Sequence, residues 1–122
     1  MLHYSPMNTY KGSCHCGAVT YTVNADIENA IDCNCSHCSR KGMLLSFIPG
    51  EEFTLLSGEE NLTDYLFNKK YIHHLFCKTC GVQSFARSMN SEGKETIALN
   101  VRTLHDFDLE ALTLIKADGK HS

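Results

Sequence analysis

Seven cysteines fall into three tight groups along this chain of 122 residues. They lie in Gly12-Ser13-Cys14-His15-Cys16-Gly17, in Asp32-Cys33-Asn34-Cys35-Ser36-His37-Cys38, and in Phe76-Cys77-Lys78-Thr79-Cys80-Gly81. The spacings are C-x-C, C-x-C-x-x-C and C-x-x-C. Two sulfurs so close in sequence can aim at one point when the backbone turns tightly between them. A glycine directly after a pair, Gly17 or Gly81, permits that turn and frees amide groups for the sulfurs. Convergent thiolates select Zn²⁺, or less often an iron–sulfur cluster, with Zn–S near ~2.3 Å. A redox dithiol at Cys77 and Cys80 would need a surrounding βαβ pattern, which the sequence lacks.

The count divides unevenly. One site can take Cys14, Cys16, Cys77 and Cys80, leaving Cys33, Cys35 and Cys38 as a trio. Four protein ligands close a tetrahedral site. Three leave a position for water or substrate, unless His37 or another side chain fills it. The closed site would lock a long loop between residues 14 and 80. Metal-binding free energy becomes folding free energy, so such a clip suits a chain too small to bury a large core.

Composition narrows the setting. Hydrophobic residues make up 43% of the chain, which argues for a folded domain. The net charge of −3 leaves no basic footprint for nucleic acid. No apolar run approaches the ~20 residues that span a bilayer. The start, Met1 to Tyr10, is polar, with no signal-peptide core. The expected compartment is therefore the reducing cytoplasm, where cysteines seldom pair as disulfides. With no repeat, linker or marked charge shift, residues 1–122 read as one domain, with a core over about 10–118 and residues 1–9 as an N-terminal extension.

The elements that must position the cysteines are mostly strands. Strand-like runs are Ala18 to Val23, Ile27 to Asp32, Leu44 to Ile48 before Pro49-Gly50, Phe53 to Leu56, Asp64 to Phe67, Tyr71 to Phe76, Val82 to Ala86, and Thr96 to Val101. Asn68-Lys69-Lys70 joins one pair, and a polar loop from Met89 to Lys94 joins another. Only Asp108 to Leu112 looks helical. The expectation is a mainly β domain of six to eight short strands, with cysteines in the connections.

At these clusters the chain resembles the glutathione-dependent formaldehyde-activating enzyme family, of the Gfa/CENP-V type. The matching stretches are Gly12 to Val19, Cys33 to Cys38 and Phe76 to Gln83. Phe53 to Gly58, Leu62 to Tyr65, Leu99 to Arg102 and Asp108-Leu109 fit as well. The likeness covers about residues 10–118. It implies an Mss4-like, or β-tent, fold of short antiparallel strands clipped by zinc. It also implies two Zn²⁺: a structural one on Cys14, Cys16, Cys77 and Cys80, and one tied to activity on Cys33, Cys35 and Cys38. The implied reaction is of the carbon–sulfur lyase type, forming S-hydroxymethylglutathione from glutathione and formaldehyde.

Three thiolates on Zn²⁺ carry a net negative charge, and the open position should favour a thiol, held as thiolate. That thiolate can attack an aldehyde carbon; activation of a water is the opposing possibility. His37, or one of His73 and His74, is a candidate to move the proton. Adjacent strand residues point to opposite faces, so at most one of that pair should face the site. His15, inside the closed cluster, is expected to support it. Arg40, Lys41, Arg87 and Arg102 are candidates for the carboxylates of a glutathione-like thiol, with Arg40 and Lys41 best placed by sequence. The competing class is a zinc-stabilised binding module without catalysis. A basic tail would favour it, and the stretch from Lys116 to Ser122 is mixed.

Overall fold

The computed structural model describes residues 8–66 and 72–117. Among these residues lie two sheets. The smaller holds β1 (Asn8–Ser13), β2 (Thr20–Ala25) and β5 (Phe53–Ser57) in the order β1-β2-β5. The larger adds β3 (Asn29–Cys33), β4 (Leu45–Pro49), β6 (Leu62–Tyr65), β7 (His73–Cys77), β8 (Phe85–Met89), β9 (Glu95–Asn100) and β10 (Thr113–Ala117), in the order β10-β3-β4-β9-β8-β7-β6. Every pairing is antiparallel except β10 with β3, which runs parallel. One helix, α1 (Ser36–Lys41), connects β3 to β4.

The mainly β expectation holds, with one shift and three additions. The strand expected over Val82 to Ala86 is instead β8, Phe85–Met89, with Val82 to Ser84 irregular before it. β1 begins at Asn8, inside the stretch read as an extension. Its Tyr10 and Gly12 pair with Val23 and Tyr21, so the polar start is held by ladder bonds rather than by apolar periodicity. β10 takes an edge position, with β3 as its one neighbour among the described residues. Helix α1 forms within the second cysteine cluster. The segment read as helical, Asp108 to Leu112, contains a 3-10 turn over Leu109–Ala111. The join expected at Asn68-Lys69-Lys70, with Phe67 and Tyr71, lies outside the described residues.

Alternation along the strands gives the larger sheet two faces. On one face Leu75 pairs with Phe85 and Phe85 with Leu99. These residues bury against Tyr21, Val23 and Phe53 of the smaller sheet. The aromatic rings run through this core. Tyr21 stacks on Phe53 at 5.2 Å between centroids, and Phe53 meets Phe85 at 4.7 Å. Apolar burial of this kind is the main favourable term in folding. The Tyr21 hydroxyl reaches the Thr103 hydroxyl at 2.6 Å, which satisfies its polar end. The other face carries His74, Ala86, Ala98 and Phe47, aligned across four strands.

Gly12 sits opposite Tyr21 in the β1–β2 ladder, and a Cβ there would overlap the phenol ring. The ring is fully buried and cannot move aside. Gly12→Ala should therefore destabilise the protein by roughly 1–3 kcal/mol through overpacking. Thermal denaturation should show a Tm lowered by several degrees, and an unchanged Tm would contradict this packing.

Candidate metal centres and active site

The four-cysteine cluster is built from two similar turns. Cys14 follows β1, and its amide donates to the Val19 carbonyl at 3.0 Å. Cys77 ends β7, and its amide donates to the Val82 carbonyl, also at 3.0 Å. Each turn contains a glycine in the left-handed region, Gly17 (φ 85°) and Gly81 (φ 81°), a conformation that other residues rarely adopt. The sulfurs of Cys14, Cys16, Cys77 and Cys80 all lie within 4.8 Å of one another. Cys16 Sγ is 3.7 Å from Cys14 Sγ and 3.6 Å from Cys77 Sγ. Tetrahedral Zn–S bonds near ~2.3 Å require sulfurs roughly 3.8 Å apart, so both the spacing and the soft donors suit zinc.

Outer groups orient these sulfurs. The Val19 amide donates to Cys14 Sγ at 3.3 Å, and the Asn61 side-chain amide to Cys77 Sγ at 3.2 Å. Such partners hold a metal ligand in place. Asn61 is absent from the sequence reading because it lies 16 residues from Cys77 and in no motif. His15, expected to support this cluster, is exposed.

The trio forms where β3 gives way to α1. Cys33 ends the strand, Cys35 is the N-cap of the helix, and Cys38 lies buried within it. The Cys38 amide donates to Cys35 Sγ at 3.2 Å, so the first helical turn itself organises the pair. Gly42, at φ 66°, closes the helix by donating its amide to the Cys38 carbonyl at 3.0 Å. The three sulfurs lie within 4.8 Å of one another, and three thiolates can also hold a metal ion. Cys38 packs with Met43, Leu45 and Ala98, which places the trio on the outer face of the larger sheet.

That face decides between the two candidate histidines of β7. His74 points to the trio side and meets His37 at 4.2 Å between ring centroids. His73 points the other way and pairs with Asp64 at 2.6 Å. Tyr65, opposite His74 in the β6–β7 ladder, stacks on His37 at 5.6 Å. Burial pushes the His37 pKa down to about 4, with the charges of His74 and Lys41 adding to the effect. Burial also lowers the His74 pKa, again with Lys41 contributing. Both rings are therefore neutral at pH 7. The sequence places Tyr65 in a strand but gives it no role at the site, because its approach to His37 depends on strand register.

The four candidate cations separate. Lys41 donates to Gln83 Oε1 at 2.7 Å and lies 4.9 Å above the Phe76 ring. Arg40 folds back to the Ser36 carbonyl of its own helix at 2.9 Å. Arg102 donates to the Gly42 carbonyl at 3.0 Å, tying the end of α1 to the turn after β9. Arg87 is not brought to the trio. It pairs with Glu95 at 3.0 Å, and both border a cavity of about 470 Å³ with His73 and Asp64. Its partner across the ladder is the buried Ile97, so Arg87 belongs to the core side of the sheet. A cavity of about 460 Å³ lies beside the trio helix, lined by Ser36, His37, Arg40, Lys41 and Tyr65. Among the described residues no helix is long and apolar enough to cross a membrane.

Residues 9–115 match the family described as glutathione-dependent formaldehyde-activating enzyme. The fold is similar to the crystal structure of a Rhodobacter sphaeroides protein. The two chains are 32% identical, the match covers 88% of this chain and 98% of that one, and the TM-score is 0.73. The matched span includes every cysteine of both clusters and nearly all of both sheets. With its mainly β fold and its two thiol clusters, the chain belongs to the glutathione-dependent formaldehyde-activating enzyme family.

Proposed function

We propose that this protein is a zinc-dependent enzyme of the carbon–sulfur lyase type that joins glutathione, or a closely similar thiol, to formaldehyde as S-hydroxymethylglutathione. The observation that carries this reading is the three-sulfur cluster beside an open cavity lined by His37. The family described above supports the thiol and the aldehyde. Cys33, Cys35 and Cys38 would hold one Zn²⁺, and Cys14, Cys16, Cys77 and Cys80 the other. When bound at the trio, zinc supplies positive charge and an open position that favour thiolate over thiol at neutral pH.

The chain's own residues supply the rest. The new S–C bond forms as the C=O π bond breaks, and the thiol proton must end on the former carbonyl oxygen. His37 is the base that takes the sulfur proton and the acid that returns it to the oxygen. No net proton leaves, and the reverse reaction uses the same path. Tyr65 and His74 pack against adjacent sides of the His37 ring. Arg40 and Lys41, at the cavity edge, receive the carboxylates of the thiol. Holding both reactants at one place supplies the proximity term. A cytoplasmic setting fits a protein with seven free cysteines and a thiol substrate.

Two measurements test this. Elemental analysis should find two zinc ions in the parent protein and one in either Cys33→Ser or Cys77→Ser. Cys33→Ser should keep its fold and lose thiol-dependent formaldehyde consumption above the uncatalysed rate, whereas Cys77→Ser should lose stability first. Full activity in Cys33→Ser with its second zinc retained would remove the trio from the mechanism. His37→Asn should lower kcat by roughly 10²–10⁴-fold while leaving zinc content unchanged. A kcat within a few-fold of the parent would assign the proton transfer elsewhere.

A further inference from the structure

Gln83 is a buried glutamine with an exposed neighbour to hold. Its residue is 3% exposed, and its backbone carbonyl accepts from the Asn100 side-chain amide at 2.9 Å, which fixes the start of the side chain. Its Oε1 accepts from Lys41 Nζ at 2.7 Å. An ammonium has donors only, so this contact orients the amide and no flipped form can replace it. The amide Nε2 is left buried with no hydrogen-bond partner among the described residues. Such an unpaired donor is a cost that an apolar side chain of similar size would avoid. Packing therefore gives no reason for a glutamine here; gripping Lys41 does.

Lys41 is held at a useful place. It follows Cys38 by three residues on α1, so the two share a helix face. It borders two cavities, the one of about 460 Å³ beside His37 and another of about 290 Å³ that Gln83 also lines. The Phe76 ring covers one side of the ammonium, which still has donors to spare after the bond to Gln83. A free lysine side chain would sample many rotamers and lose that freedom on binding a ligand. With Oε1 and the Phe76 ring already fixing it, little remains to be lost.

We propose that Gln83 is a positioning residue that presents the Lys41 ammonium to a carboxylate of the substrate thiol, and so selects carboxylate-bearing thiols over neutral ones. This rests on the reading above in taking a thiol as substrate. It adds the residue that sets thiol specificity without touching the reacting atoms.

Calorimetric titration of the zinc-loaded full chain tests it, with glutathione and with 2-mercaptoethanol, a thiol lacking carboxylates. Gln83→Leu should weaken glutathione binding about tenfold, leave 2-mercaptoethanol within about twofold, and keep or raise the Tm. Lys41→Met should weaken glutathione at least as much, and the double variant should be no weaker than Lys41→Met alone, since both changes break one path. Lys41→Arg should recover part of the lost affinity. In turnover, Gln83→Leu should raise KM for glutathione with kcat nearly unchanged. Unchanged glutathione affinity in Gln83→Leu, equal weakening for both thiols, additive losses in the double variant, or no glutathione binding by the parent would overturn the proposal. Glutathione binding that depends on Lys41 and Gln83 without formaldehyde turnover would keep this inference and remove the proposed reaction. Turnover with affinity insensitive to Gln83 would do the reverse.

Discussion

Sulfurs 61 residues apart, those of Cys16 and Cys77, come within 3.6 Å of each other, and much of the molecule is arranged around that approach. Cys14 and Cys16 follow the first strand of the smaller sheet, while Cys77 ends β7 of the larger one and Cys80 follows it. Their convergence joins the two sheets at one edge of the core. Nearby, Val19, Leu55 and Leu62 pack against the buried Cys14 and Cys77. Four thiolates brought this close repel one another unless a cation lies between them. The packing that assembles the cluster and the metal that suits it therefore depend on each other.

The larger sheet then divides its labour by face. Side chains on the core side bury Phe85, Ile97 and Leu99 against the smaller sheet. Those on the outer side carry the trio, His74 and the stacked Tyr65 and His37. A one-residue change of register would exchange the faces. His73 would then replace His74 at the site, and Arg87 would leave Glu95 for the trio side. The position of the cation is set by the same alternation: Lys41 on α1 reaches Gln83 and Phe76, whereas Arg87 spends its charge on a carboxylate elsewhere.

Around the trio the electrostatics are spare. Half-buried His37 and buried His74 stay neutral at pH 7, and Lys41 supplies a positive charge that neither imidazole opposes. Three thiolates with one Zn²⁺ would carry a net negative charge, against which Lys41 on the same helix acts as a counterion. In the proposed reading the same ammonium, restrained by the Gln83 amide, would also meet a carboxylate of the substrate thiol.

The two thiol clusters were legible in the sequence because cysteines close in sequence need only a tight turn to converge. The C-x-C and C-x-x-C spacings, with Gly17 and Gly81 beside them, state that need directly. Most strands could be read as well, since β-branched and aromatic runs broken at Pro49-Gly50 and Ser57-Gly58 follow local rules. Both β1 and β10 escaped because ladder partners hold them, not a strong pattern of their own. Which histidine faces the trio, that Tyr65 stacks on His37, that Asn61 braces Cys77 and that Gln83 grips Lys41 are all contacts between distant segments. The separations are 16 residues for Asn61 and 42 for Gln83. The histidine and Tyr65 contacts follow from strand register and sheet face, whereas Asn61 and Gln83 lie outside the strands, in the segments that lead into β6 and β8, and act from where those segments pack. Composition and spacing do not encode either one locally, and only packing the two sheets on a common core decides them.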